Sequence, residues 1–489
     1  MAITAGGSLN QVPGAIAGQT LNTNYLDFAA GTDDWAAQYL PEVMEKESEV
    51  FGNRTISGFL SQVGAEESMT SDQVIWSEQG RLHLAYTADV TSTTAGSPAG
   101  GRITIADHID TNATYVAGSH GIRVGDTVLI ATSAGTTKAY VHTAAAASDI
   151  VDVAPYGSAD LGTEGHSTGS GNARIMVYGS EFIKGAAGRT EANQPEHVTL
   201  SNKPVILKDY YEVSGSDAAQ IGWVEVSGED GQNGYLWYLK AAGDTRSRFS
   251  DYLEMAMLEG ELQGAANDLT DSALYGATGN VTGTEGLFAA ITARGNMSSG
   301  INGVLASLDL AEFDAILAEF DSQGAIEENM MFLNRATSLA IDDMLASMNS
   351  YGAQGTSYGV FDNSEDMALN LGFSGFRRGS YDFYKSDFKY LNQKDARGSI
   401  NAIDTANAIR GVIVPAGVSS VYDQALGKNL KRPFLHVRYR SSATDNRKYK
   451  SWVVGGVGAS TSGNDAMEMH FLSERCLVTQ GANNFMLLN

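Results

Sequence analysis

The chain has 489 residues, with 57 Asp+Glu against 32 Lys+Arg, a single Cys, 8 Pro and 55 Gly. Hydrophobic residues make up 43% and charged residues only 18%, which excludes a disordered chain of low hydrophobicity and high charge. One thiol, Cys476, cannot form an intrachain disulfide or build a structural zinc site, and the length predicts about two to four domains.

A net charge of −25 opposes any chain-wide attraction to nucleic acid or anionic lipid. The opening residues lack a basic stretch followed by an apolar one, and no window approaches the ~20 apolar residues of a membrane span, so the reading is cytoplasmic with no membrane contact. Charge is unevenly spread. Residues 1–375 hold 16 Lys+Arg and 48 Asp+Glu, net −32, whereas residues 376–489 hold 16 and 9, net +7. A basic surface on one copy meeting an acidic surface on the next is one expectation; two separately solvated fields is the plainer one.

Residues 1–35 are small, polar and Gly-rich, with Leu9, Val12, Leu21, Tyr25, Leu26, Phe28 and Trp35 at no regular period, and read as an extended arm whose large side chains dock on a body. Trp35, Tyr39, Val43, Lys46 and Val50 fit a helix face, interrupted by Pro41 and ended near Gly52. Between Arg81 and Tyr178 the texture becomes short β-rich runs, at 102–109, 127–131, 138–143, 149–156 and 174–179, with a turn signal at Val124-Gly125-Asp126. Residues 160–172 read as a loop, and strand-like runs follow with Pro195 and Pro204 at starts or edges.

From Tyr235 the pattern turns helical, with Leu239, Ala242, Arg246, Phe249, Leu253, Met257 and Gly260 stepping three or four residues at a time. A helix over 235–262 would span about 42 Å. Leu310, Phe313, Leu317 and Phe320 share a second face that closes before Gly324, and Met330-Met331-Phe332-Leu333 predicts a strand leading through Asn334 into a helix to Met348. Strands return at 381–385, 411–415, 434–440, 450–454 and 468–472. The mixed order predicts an α+β fold.

Catalytic and metal-binding patterns are weak. The eight His residues, at 83, 108, 120, 142, 166, 197, 436 and 470, include no i, i+4 pair that would place two imidazoles on one helix face. Gly-x-Ser-x-Gly occurs at Gly165–Gly169 and Gly355–Gly359, but neither follows an apolar strand into a helix as a nucleophile elbow requires. No phosphate loop and no dinucleotide turn is present. The acidic groups Glu42, Glu45, Glu47, Glu49 and Glu327, Glu328 read as solvated faces. The basic run Lys428, Lys431, Arg432, Arg438, Arg440, Arg447, Lys448 and Lys450, interleaved with Tyr439 and Tyr449, is the best nucleic-acid candidate, yet its alternation along strands favours contact between subunits over DNA reading.

The order of parts is extended arm, early helix, β excursion, long helix, helix-and-strand domain and returning strands. It resembles the tailed-phage major capsid proteins of Hong Kong 97-type fold, with an N-terminal arm, an E-loop, a peripheral domain on a spine helix and an axial domain. Ser473-Glu474-Arg475-Cys476 through Leu488 is similar to that family's closing segment, and the whole is similar to the crAss-like phages of gut bacteria. The resemblance implies an arm at 1–35, an N-terminal helical part of the peripheral domain at 36–75, an outgoing E-loop strand at 76–87 and a β-rich insertion domain at 88–173. It further implies an E-loop return at 174–215, a peripheral domain with its spine helix at 216–272, an axial domain at 273–410 and returning strands at 411–489.

The implied function is that of a non-enzymatic shell protein, without cofactor or metal. Hexamers and pentamers would form an icosahedral virion capsid in the host bacterial cytoplasm around double-stranded DNA held without sequence-specific contacts. Expected partners are the chain itself, a portal protein, a separate scaffolding protein and decoration or auxiliary capsid proteins, with no Lys–Asn crosslink. Tyr25, Phe28, Trp35, Arg81, His83, Lys428, Lys431, Arg432, Arg438 and Arg440 are the expected inter-subunit contacts. An encapsulin-like compartment shell, an acidic β-rich adhesin or surface-layer protein, and a hydrolase using Ser167 or Ser357 are the alternatives.

Overall fold

In the computed structural model the chain divides into two units, residues 77–200 and the remainder. The structure describes residue 60 and residues 65–489 except 80–82, 96–99, 110–114, 146–147, 190–191, 194–196, 219–225, 228–232, 235–236, 264–280, 324–325, 349–374, 406, 417, 424–427 and 456–461. The expected arm, the helix at 35–59 and the site residues Tyr25, Phe28, Trp35 and Arg81 lie outside these residues. Two strands come first, β1 (Ala65–Met69) and β2 (Val74–Gln79). The helical expectation for 36–75 is therefore corrected at Ala65–Met69, where the peptide groups of β1 run parallel to a strand from the far end of the chain.

Residues 77–200 hold β3 (Ala85–Ser92), β4 (Arg102–His108), β5 (Asp126–Thr132), β6 (Gly135–Ala145), β7 (Ile150–Pro155) and β8 (Gly169–Ser180). They close into a six-stranded barrel in the order β3-β4-β7-β6-β5-β8, and every neighbouring pair is antiparallel. Side chains of a strand alternate between faces. One set, Tyr86, Ala88 and Val90 of β3, Ile103 and Ile105 of β4, Val128 and Ile130 of β5, Val151 and Val153 of β7, is buried in the interior with Ala139 and Val141 of β6 and Ala173 and Ile175 of β8. Leu161 plugs the core from the connecting loop, lying where a side chain on Gly101 would have to sit. Closure removes the unpaired edges that open sheets expose. The barrel begins before the expected insertion boundary at 88 and continues past 173, because β3 and β8 pair over Ala85↔Met176.

The remaining unit follows β9 (His197–Asn202), which pairs with β2. In order come β10 (Val205–Ser214), a short ribbon of β11 (Val226–Ser227) and β12 (Asn233–Gly234), and the long helix α1 (Trp237–Glu259). Then follow α2 (Leu287–Arg294), β13 (Asn296–Ser298), α3 (Ala306–Gln323), β14 (Glu328–Leu333) and α4 (Arg335–Met348). After β15 (Gly375–Arg378), β16 (Tyr381–Asp387), α5 (Arg397–Ile403) and β17 (Gly411–Pro415) comes a ribbon of β18 (Val418–Asp423) and β19 (Lys428–Pro433). The last strands are β20 (Leu435–Arg440), β21 (Lys450–Gly455), β22 (Ala466–Thr479) and β23 (Met486–Leu488). Mixed parallel and antiparallel sheets with helices make the fold α+β.

Two sheets organise this unit. In the first, β22 is central, with β10 on one side and both β20 and β21 on the other, while β1 adds to β20. Helix α1, about 35 Å long at its 23 residues, lays Phe249 and Leu253 against Phe471 of β22. It ends at Glu259, and the chain at Gly260 passes so close to the Thr284 carbonyl that a side chain there would lie 2.6 Å from it. The second sheet runs β13-β23-β17-β14-β16-β15. Phe332, Val412, Val414 and Leu487 point to one core with α1 and α2, and Met331, Leu333, Ile413, Met486 and Leu488 point to the other with α3 and α4. Burial on both faces explains why these strands read as unbroken apolar runs.

Candidate functional site

The basic run of the C-terminal part is the charged constellation that the sequence singles out most strongly, and the structure describes its larger half. Strand β20 carries Arg438 and Arg440, the hairpin leading into β21 carries Arg447 and Lys448, and β21 opens on Lys450. Parallel pairing of β1 with β20 sets Glu67 beside Arg438 in register, with Nη2 of Arg438 3.0 Å from Oε2 of Glu67. Lys448 forms an ion pair with Glu66, and Arg440 one with Asp72 just beyond β1. From β22, Glu474 meets the Nε atoms of Arg440 at 2.7 Å and Arg447 at 2.8 Å. Lys450 pairs with Asp445 at 2.8 Å.

Five cations thus meet five carboxylates of the same chain. The ammonium of Lys450 holds the Asp445 carboxyl below the usual carboxylate range, and hydrogen bonding to Asp72 pushes the Arg440 guanidinium higher still. Behind them the buried guanidinium of Arg475 donates to Ser473 Oγ and to the Lys448 carbonyl, each at 2.9 Å, and burial lowers its pKa. Charge-assisted contacts of this kind fix strand register. The cationic surface expected to face a second copy is, at Arg438 and Arg440, already partnered within the chain. Lys428, Lys431 and Arg432 lie on β19, opposite Asp423, Ser420 and Ser419 of β18. His83 is exposed ahead of the barrel. The acidic partners Glu66, Glu67, Asp72 and Glu474 escape a reading of the sequence; the one signal it offers is the charged Glu474-Arg475 pair beside the apolar Cys476-Leu477-Val478 run of its strand.

Ser167 is exposed in the loop entering β8, and its carbonyl accepts a hydrogen bond from Asn172. The neighbouring His166 is buried, with its ring nitrogens 2.7 Å from Thr132 Oγ1 and 2.8 Å from Thr137 Oγ1. Both nitrogens are engaged with the barrel, which leaves His166 unfit to serve as a base for Ser167. Ser357 lies outside the described residues. Burial pushes the Cys476 thiol up to about 12, which keeps it protonated and unreactive at neutral pH. Among the described residues no group of three or more His, Cys, Asp or Glu side chains could hold a metal, and no helix is long and apolar enough to cross a membrane.

No protein-family model matches the chain, and no curated protein matches it. Solved structures to which it is similar include a chain from Microbacterium phage Oxtober96, 8% identical, with 93% of this chain and 97% of that one covered and a TM-score of 0.37. The capsid structure of the cyanophage P-SCSP1u is 7% identical over 95% and 96%, with a TM-score of 0.39. The capsid of the native GTA particle is 10% identical over 96% and 99%, with a TM-score of 0.38.

Proposed function

We propose that the chain is a structural shell protein of a tailed-phage-type capsid, assembling as hexamers and pentamers around double-stranded DNA. The observation that carries the reading is the order of elements around α1. A β excursion leaves after β2 and returns as β9 and β10. The long helix then backs the sheet built on β22, and a second sheet flanked by α3 and α4 is closed by the C-terminal strand β23. This order supports reading the chain, in turn, as E-loop, spine helix, axial domain and returning strands.

In this reading the barrel is an insertion in the E-loop, and long insertions persist on exposed surfaces. The reading is non-enzymatic, and the engagement of His166 away from Ser167 supports it over a hydrolase. Assembly in the host cytoplasm, a portal, a separate scaffold and decoration proteins belong to the same proposal, as does kinship with crAss-like phages. Purified protein examined by negative-stain electron microscopy beside light scattering tests it. Closed shells, tubes or six-fold rings, with or without co-expressed scaffold, are the expected result. A monodisperse monomer under every assembly condition, scaffold included, would overturn the proposal and favour the adhesin reading.

A further inference from the structure

The outer face of the barrel carries an open groove of about 520 Å³ lined by Thr127, Lys138, Tyr156, Tyr178, Ser180 and Glu181. Tyr178 belongs to β8 and Tyr156 follows β7. In the barrel order β5 and β6 lie between these strands and contribute Thr127 and Lys138. About half of each tyrosine is in solvent, 52% for Tyr156 and 49% for Tyr178. Tyrosine rings exposed as a pair offer apolar faces and polar rims together.

The groove is held in shape from below. Glu181 donates its backbone N–H to the Gly125 carbonyl at 3.0 Å, and Tyr156 donates its hydroxyl to Glu181 Oε2 at 2.5 Å. The next residue, Phe182, rests on Gly125, leaving only 3.1 Å for a side chain there. Arg189 lies over the Phe182 ring at 5.4 Å and pairs with buried Asp126 at 2.7 Å. Preformed contacts of this kind reduce the ordering cost of binding.

We propose that this groove binds a neutral carbohydrate chain. The pyranose C–H faces match the phenol rings, and the sugar hydroxyls match an ammonium donor, a carboxylate acceptor and the Ser180 hydroxyl. Lys138 and Glu181 cancel in charge, and the carboxylate opposes phosphate or sulfate. A peptide strand has nowhere to pair, because the closed barrel has no free edge. The interior is lined by buried apolar side chains, which offer sugar hydroxyls no hydrogen-bond partner. This inference stands on the barrel alone and does not require the shell reading.

The test is saturation-transfer NMR of the full-length chain with maltohexaose, cellohexaose and chitohexaose, and with a heparin hexasaccharide for comparison. At least one neutral hexasaccharide should bind with a dissociation constant of about 0.1–5 mM, and Tyr178→Ala should weaken it at least about tenfold, or ~1.4 kcal/mol. Lys138→Gln should weaken it as well, with the barrel's melting temperature unchanged in both variants. Absence of binding by all three neutral probes at about 10 mM would overturn the proposal. So would stronger binding of heparin than of any neutral probe, or affinity unchanged by Tyr178→Ala.

Discussion

Nε of Arg440 lies 2.7 Å from Oε1 of Glu474, joining β20 to β22 at a carboxylate whose residue is only 5% exposed. The same carboxylate holds Arg447 through its other oxygen, and Arg440 also reaches Asp72. One acid therefore anchors two strands and the hairpin between β20 and β21.

Replacing Glu474 by Gln keeps the shape and removes the charge that both guanidinium groups face. Glu474→Gln is expected to destabilise the unit containing β22 by about 2–3 kcal/mol, since breaking a buried pair leaves its partners uncompensated. Urea unfolding followed by hydrogen exchange at β20 and β22 checks this. A midpoint identical to that of the parent chain would show that the two arginines find equivalent partners elsewhere.

Asn334 accepts a hydrogen bond from the Thr337 N–H at 2.8 Å, and so caps α4 where the chain leaves β14. Asn334→Ala strands that N–H and should cost about 1 kcal/mol, whereas Asn334→Asp should cost a few tenths at most. Chemical denaturation of the two variants side by side distinguishes a lost cap from a general intolerance of change at the site.

Inside the barrel, a Cβ at Gly101 would lie 2.4 Å from Leu161 Cδ1. Gly101→Ala should therefore lower the barrel's melting temperature, at a cost of about 1–3 kcal/mol for overpacking. Leu161→Ala alone should cost about 2–5 kcal/mol through the cavity it opens. Combined, the two should cost less than their sum, because each relieves the other's defect. Strict additivity in thermal melts would mean the two positions do not share space.

His120 is buried near Asp149 at the end of the barrel that also holds Tyr115, whose hydroxyl donates to Asp149. Burial lowers the His120 pKa and outweighs the raising effect of Asp149. The unfolded chain then binds the proton more readily, so stability is full above the ordinary histidine value of about 6.5 and falls as pH drops below it. His120→Phe should flatten that part of the profile. Barrel melting temperatures at a series of pH values between about 7.5 and 5 would reveal it, and a parent profile that is level throughout would contradict the expected fall.

Periodicity makes much of this fold readable. The apolar run at Gly411–Pro415 coincides with β17, because a strand buried on both faces is a short apolar block bounded by turns. Met330–Leu333 and the Asn334 cap likewise signal β14 and α4. The long helix ends at Glu259, before the Leu262 that its periodic pattern reaches. In the loop at 160–172, β8 begins already at Gly169, since composition cannot tell a polar strand end from a loop. The ion-pair cluster is only half legible. Its cations stand together in sequence, but Glu66, Glu67 and Asp72 arrive from about 370 residues away, a distance that no local pattern bridges. The Tyr156–Tyr178 groove is equally hidden, because exposed tyrosines on strands look like any solvated face until barrel closure sets them around Lys138.

The position of β22 bears on biosynthesis. The barrel's six strands are contiguous in sequence, between Ala85 and Ser180, so they can fold while the ribosome is still elongating. Strands β10, β20 and β21 must all await β22, which begins at Ala466 and is synthesised after every one of its neighbours. Long-range pairing of this kind is slow to form. A nascent chain interrupted before Ala466 would carry all six barrel strands on a body whose first sheet lacks its central strand, leaving β10 and β21 without the neighbour they pair with.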